Sequence, residues 1–126
     1  MIIDTDVLIW YLRGDRKAKG VVEAAIPFSV SAVTYMELVQ GMKDKTEFRQ
    51  FQKTFVAWGI HILPIDREIS SRAIFYVQEY HLSHSMQMAD ALIAATAVQG
   101  ADTLMTANDK HYRHIPNLAL KKFVVG

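Results

Sequence analysis

Acidic side chains set beside apolar runs are the residues of this sequence best placed to do chemistry. Asp4 closes the run Met1-Ile2-Ile3, and Asp6 follows two residues later. Glu37 stands between Tyr35-Met36 and Leu38-Val39, and Asp90 is the only formally charged residue between Glu79 and Asp102. Asp109 lies in the polar loop after Leu104-Met105-Thr106. Singly, each acid has an ordinary explanation: Asp4 or Asp6 can cap a helix, and Asp90 can sit favourably at a helix N-terminus. Glu37 and Asp90 fit such explanations less easily, because carboxylates inside apolar runs are seldom buried unless paired or metal-bound. If these acids converge they repel, by roughly 4 kcal/mol for two charges about 4 Å apart at an effective dielectric of about 20. Such a cluster needs raised pKa values or a cation. With oxygen donors only, the cation expected is hard, Mg²⁺ or Mn²⁺. Acidic sites for these ions suit hydrolytic phosphoryl transfer, in which the ion activates water and stabilises the leaving oxygen.

Convergence depends on the elements that carry the acids. Met1–Ile3 reads as a buried strand and Val7–Leu12 as a helix stopped by Gly14. Val21–Ile26 reads as a second helix after a polar, basic stretch from Arg13 to Lys19. A strand over Pro27–Ser31 follows, with Ser31 capping a helix that carries Glu37 and ends at Gly41. Phe48, Phe51, Phe55 and Trp58 form an apolar stripe on a helix over Glu47–Trp58, stopped by Gly59. Ile60–Pro64 reads as a third strand. Asp66 caps a helix through Tyr80, another helix spans Met88–Gln99, and Thr103–Thr106 is a fourth strand with Leu118–Val124 as a fifth. Strands separated by helices predict an α/β fold, a mostly parallel four- to five-stranded sheet covered on both faces. In open parallel sheets ligands bind beyond the carboxyl ends of the strands, and Asp4 and Asp109 follow two such ends.

Composition narrows the classes. The chain has 126 residues, 51% hydrophobic and 21% charged, which suits a single domain over 1–126 and excludes a disordered tail. It has no cysteine, which excludes a disulfide scaffold and Cys-ligated metal, and fits a cytoplasmic setting. The opening run lacks a basic leader and carries two acids, unlike a secretory signal. Only eleven uncharged residues separate Asp90 from Asp102, too few to span a bilayer, so no membrane association is expected. Fourteen Lys/Arg against thirteen Asp/Glu leave a formal +1, which shows no basic footprint. That total is an average, however. Setting aside Asp4, Glu37, Asp90 and Asp109 as one site leaves nine acids against fourteen bases, so a basic surround can coexist with an acidic pocket.

Four segments, in order, carry a resemblance: Ile2-Ile3-Asp4-Thr5-Asp6-Val7-Leu8-Ile9, Ser31-Ala32-Val33-Thr34-Tyr35-Met36-Glu37-Leu38, Met88-Ala89-Asp90-Ala91-Leu92-Ile93-Ala94-Ala95-Thr96-Ala97 and Leu104-Met105-Thr106-Ala107-Asn108-Asp109-Lys110-His111-Tyr112. With them the chain resembles the PIN-domain ribonucleases, in particular VapC-type toxins of type II toxin–antitoxin pairs. The resemblance implies a PIN-like α/β/α sandwich and an endoribonuclease dependent on Mg²⁺ or Mn²⁺. It implies that Asp4, Glu37 and Asp90 are the catalytic, metal-site acids, supported by the hydroxyls of Thr5 and Thr106. Asp109 is assigned as the fourth acid, with Asn108 its competitor, and Asp6 occupies a position where a direct role is not required. RNA would be hydrolysed in line by metal-activated water, leaving 5′-phosphate and 3′-hydroxyl ends. The implied partners are RNA, a VapB-like antitoxin seated on the helices around Tyr35–Trp58, and a second copy in a homodimer.

Other signals have competing explanations. The pairs His81/His84 and His111/His114 have a spacing that could hold zinc, but without a third ligand they read as loop or surface histidines. The clusters Arg13/Arg16/Lys17/Lys19 and Lys43/Lys45/Arg49/Lys53 are either solvated surface or a means of steering phosphate. Two other functions compete. A haloacid-dehalogenase-like phosphatase would use Asp4 as nucleophile and Asp6 as acid/base, but leaves Glu37 and Asp90 unexplained. A non-catalytic PIN-like binding module would dispense with the metal.

Overall fold

Short strands alternate with helices through the whole chain, and the computed structural model describes all residues 1–126. The elements are β1 (Ile2–Ile3), α1 (Thr5–Leu12), α2 (Arg16–Ala25), β2 (Ser29–Ser31), α3 (Ala32–Gln40), α4 (Lys45–Trp58), β3 (His61–Leu63), α5 (Arg67–His84), α6 (Met88–Gln99), β4 (Leu104–Thr106) and β5 (Leu120–Lys122). A single 3-10 turn, Asp109–His111, lies between β4 and β5. The five strands form one sheet in the order β3-β2-β1-β4-β5, and every pairing is parallel.

Side chains alternate across a strand, so neighbouring residues serve opposite layers. Ile2 and Leu104 enter a core with Ile69, Ala73 and Tyr76 of α5 and the small residues of α6. Ile3 and Met105 enter a second core with Val7 and Leu8 of α1, Val22 of α2, and Phe51 and Phe55 of α4. Burying both faces of an all-parallel sheet explains the uninterrupted apolar runs of β1 and of Leu104-Met105 in β4. The α/β sandwich expected from the sequence is the fold.

Local capping sets where most helices begin. Ser31 accepts a hydrogen bond from Val33 N at 3.1 Å and Asp66 accepts one from Ile69 N at 2.8 Å, both as expected. Helix α2 begins earlier than the apolar pattern indicates, at Arg16, because the Asp15 carboxylate accepts from Ala18 N at 2.9 Å. The basic stretch there is thus helical, with only Ala18 and Val22 turned to the core. Helix α5 continues to His84, where Ser85 takes a left-handed conformation at φ 54°. The strands are shorter than expected, with β5 confined to Leu120–Lys122.

The sheet order has a functional consequence. From β1 the chain moves outward through β2 and β3, then returns to place β4 on the other side of β1. The carboxyl ends of β1 and β4 therefore flank the point at which the winding reverses, where open α/β sheets form ligand crevices. Asp4 leaves the end of β1, and its N–H donates to Met105 O at 2.9 Å, which fixes it beside Thr106 at the end of β4.

Candidate active site

Asp4 is the buried centre of this crevice, with 6% of its surface exposed. It caps α1, accepting from Thr5 N at 2.8 Å through Oδ1, so the capping explanation is correct for this residue. Its other oxygen, Oδ2, accepts from the Thr106 hydroxyl at 2.9 Å. One carboxylate thus ties the start of α1 to the end of β4 and retains lone pairs on both oxygens.

Asp6 is drawn to the same place. Its carboxylate accepts from Val7 N at 2.7 Å and from Ala107 N at 3.2 Å, with the Thr106 hydroxyl at 3.4 Å. Thr106, fully buried, therefore stands between two acids and also accepts from Asn108 N at 3.1 Å. Replacing it by valine keeps the volume and removes a hydroxyl with three partners. Thr106→Val is expected to cost about 1–3 kcal/mol, the usual range for leaving buried polar groups unpaired. Urea unfolding at neutral pH measures this, and an unchanged midpoint would count against the network.

Burial, and next the charge of Asp6, push the Asp4 carboxyl up to about 7 against the opposing hydrogen bonds from Thr106 and Thr5. Burial also raises Asp6, opposed by the Ala107 and Val7 amides. Repulsion between converging acids, expected from the sequence, is present at this pair.

Glu37 and Asp90 join through intermediaries. The Thr5 hydroxyl donates to Glu37 Oε1 at 2.7 Å and lies 2.9 Å from the Thr34 hydroxyl, which is fully buried. Glu37 itself is exposed, contrary to the burial expected from its apolar neighbours, because α3 turns that face outward. Asp90, on the first turn of α6, is partly buried. The Tyr112 hydroxyl lies 3.4 Å from its Oδ1 and His111 Nδ1 lies 3.5 Å from its Oδ2.

The fourth position is resolved differently from the other three. Asp109 pairs with Lys122 of β5 at 3.6 Å, and no hydrogen bond links it to Asp4, Asp6 or Asp90. Asn108 is exposed, its side-chain amide 3.1 Å from His111 Nε2. Two residues missed by the sequence reading emerge here. Thr34 lies one helical turn before Glu37, a spacing that could have revealed it. Tyr112 gives no comparable local signal. The histidine pairs do not form a zinc site: the His84 and His114 rings stack face to face at 4.0 Å, so their nitrogens do not converge.

The donor chemistry suits a hard cation. All the candidate ligands are oxygens, and Asp4 and Asp6 share buried negative charge that a cation would relieve. No three His, Asp or Glu side chains stand close enough together to hold one ion. The carboxylates that do converge are Asp4 and Asp6, through Thr106, and Mg²⁺ commonly takes one or two carboxylates and keeps several waters.

Comparison with known proteins identifies the family and the fold. The PIN domain family model matches residues 1–118. A chain of a toxin–antitoxin complex from Klebsiella pneumoniae is similar at 29% identity over 98% of each chain, with a TM-score of 0.76. Chains of VapBC2 from Rickettsia felis, bound to a DNA fragment from its promoter (20% identity, 97% of each chain, TM-score 0.78), and of DNA-bound VapBC from Salmonella typhimurium (18% identity, 96% of each chain, TM-score 0.79) share the fold. No curated protein matches the sequence. The strand-end acid, its threonine partner and a family match over nearly the whole length lead to one conclusion: the chain belongs to the PIN domain family.

Proposed function

We propose that this PIN domain is a Mg²⁺- or Mn²⁺-dependent endoribonuclease and the toxin of a toxin–antitoxin pair. The observation that carries the reading is the pairing of buried Asp4 with half-buried Asp6 at the switch point of the sheet, bridged by Thr106, with Asp90 and Glu37 at its edges. Asp4 and Asp90 are the principal metal ligands in this reading, with Asp6 in support. When bound, the ion supplies charge neutralisation at the phosphate and activation of water. Thr5 and Thr106 hold the acids in orientation. Glu37 has Oε1 engaged by Thr5, which leaves Oε2 to take a proton from the attacking water. Asp109, held by Lys122, serves at most as an outer contact to RNA or to a second ion.

Exposed bases support an RNA substrate. Arg13, Arg16, Lys17 and Lys19 around the α1–α2 junction, and Lys43, Lys45, Arg49 and Lys53 around α4, all face solvent. They supply the basic surround that the net charge conceals. An antitoxin segment and a homodimer complete the proposal. The apolar groove lined by Leu8, Tyr11, Leu38, Phe51, Phe55 and Trp58 contains none of the site acids and suits such a segment. No helix is long and apolar enough to cross a membrane.

The test is cleavage of a mixed RNA pool by the purified protein with Mg²⁺, with Mn²⁺ and with EDTA, alongside a small phosphomonoester. Expected are RNA fragments with 5′-phosphate ends in both metals, none in EDTA and no phosphate release. Phosphate release without RNA cleavage would favour the haloacid-dehalogenase-like phosphatase. Inactivity on both substrates would favour the non-catalytic module.

A further inference from the structure

We infer that Tyr112 is a positioning residue whose hydroxyl holds Asp90 on α6, a role that rests on reading this acid as a metal ligand. The ring is 1% exposed and packs in the core formed by α5, α6 and one face of the sheet. Only its hydroxyl is directed to the site, 3.4 Å from Asp90 Oδ1.

This contact fastens α6 to the loop that follows β4. The α1 end is fastened by Thr106, but Asp90 is held by no threonine. Its other neighbour among the polar groups is His111, half exposed and 3.5 Å away. Tyr112 is thus the buried hold on Asp90, anchored by its ring and not by the solvent-facing loop. A neutral donor behind a carboxylate orients its free lone pairs, the usual work of groups behind a metal's ligands.

Phenylalanine isolates the hydroxyl, since Tyr112→Phe keeps the ring and its packing. Mn²⁺ alone is titrated into wild type, Tyr112→Phe, and Tyr76→Phe, a buried tyrosine of the same core on α5. Circular dichroism verifies that each is folded. The expected result is Mn²⁺ affinity weakened about 10-fold or more in Tyr112→Phe, the lower bound typical of such supporting groups. Tyr76→Phe keeps wild-type affinity, and excess Mn²⁺ restores RNA cleavage to Tyr112→Phe. A folded Tyr112→Phe protein with wild-type Mn²⁺ affinity overturns the positioning role alone. A wild-type protein that takes up no Mn²⁺ overturns the metal-site reading, and the positioning role with it.

Discussion

Asp4→Asn is expected to lower RNA cleavage at least about 10²–10³-fold while leaving the fold intact and, without metal, no less stable than wild type. The magnitude is that for loss of a group acting directly on charge at the reacting centre. The stability expectation comes from the atoms around Asp4. Asparagine retains an oxygen to accept from Thr5 N, now 2.8 Å from Oδ1, so the cap on α1 survives. Its amide nitrogen would face Thr106, whose hydroxyl can turn to accept from it and donate towards Asp6, at 3.4 Å from Oδ2. The buried charge and its repulsion with Asp6 are gone. Asp4→Ala would be a poorer control, because it also removes the cap, at about 1 kcal/mol. The checks are cleavage rate with saturating Mg²⁺ and thermal melting in EDTA at neutral pH. Near-wild-type cleavage by the asparagine protein would refute Asp4 as a metal-site acid, and a collapsed melting temperature would refute the account of its burial.

The parts of this site differ in how far the sequence discloses them, and the difference is physical. Where one side chain acts on backbone within a few residues, the sequence suffices: Ser31 and Asp66 cap the helices expected, and Gly59 ends α4 in the left-handed conformation at φ 66°. An uninterrupted apolar run also places Asp4 at a strand end, because the sheet is buried on both faces. Helix α2 is less legible, since its first turn is basic and exposed and its start is set by the Asp15 cap rather than by an apolar run. Exposure of Glu37 could not be read from its neighbours in sequence, because burial of a helix face depends on what packs there. Contacts across the fold left no trace at all. The pairing of Asp109 with Lys122 needs β5 beside β4, and the approach of Tyr112 to Asp90 needs the post-β4 loop folded over α6. The resemblance named four acids in order, but the carboxylate most closely joined to Asp4 is Asp6, which was placed in a supporting role.

The second large effect is a stability that falls as pH rises and is recovered by Mg²⁺. The folded protein holds the Asp4 carboxyl at about 7 against an ordinary value of 3.8. Between these values the folded state binds more protons than the unfolded chain, so stability decreases with increasing pH. The contribution is fully present below about 3.8 and lost once pH passes about 7. A shift of this size corresponds to a few kcal/mol at most, and Asp6 acts in the same direction. His114 acts oppositely: burial, then His84 and His111, lower its pKa, so its contribution is lost as pH falls below the ordinary histidine range. Comparing wild type with Asp4→Asn removes His114 from the result, because both proteins carry it. In EDTA, wild type is expected to melt progressively below Asp4→Asn as pH rises from 5 to 8, with the gap opening mostly by about pH 7. Mg²⁺ requires the ionised carboxylates and binds the folded state, so it should add little at pH 5 and most at pH 8, about 2.7 kcal/mol when present at 100 times its dissociation constant. Asp4→Asn should show almost none of this gain. A pH-independent gap between the two proteins in EDTA would refute the buried, proton-binding Asp4. An equal Mg²⁺ gain at pH 5 and pH 8, or an equal gain in both proteins, would show that the ion binds elsewhere.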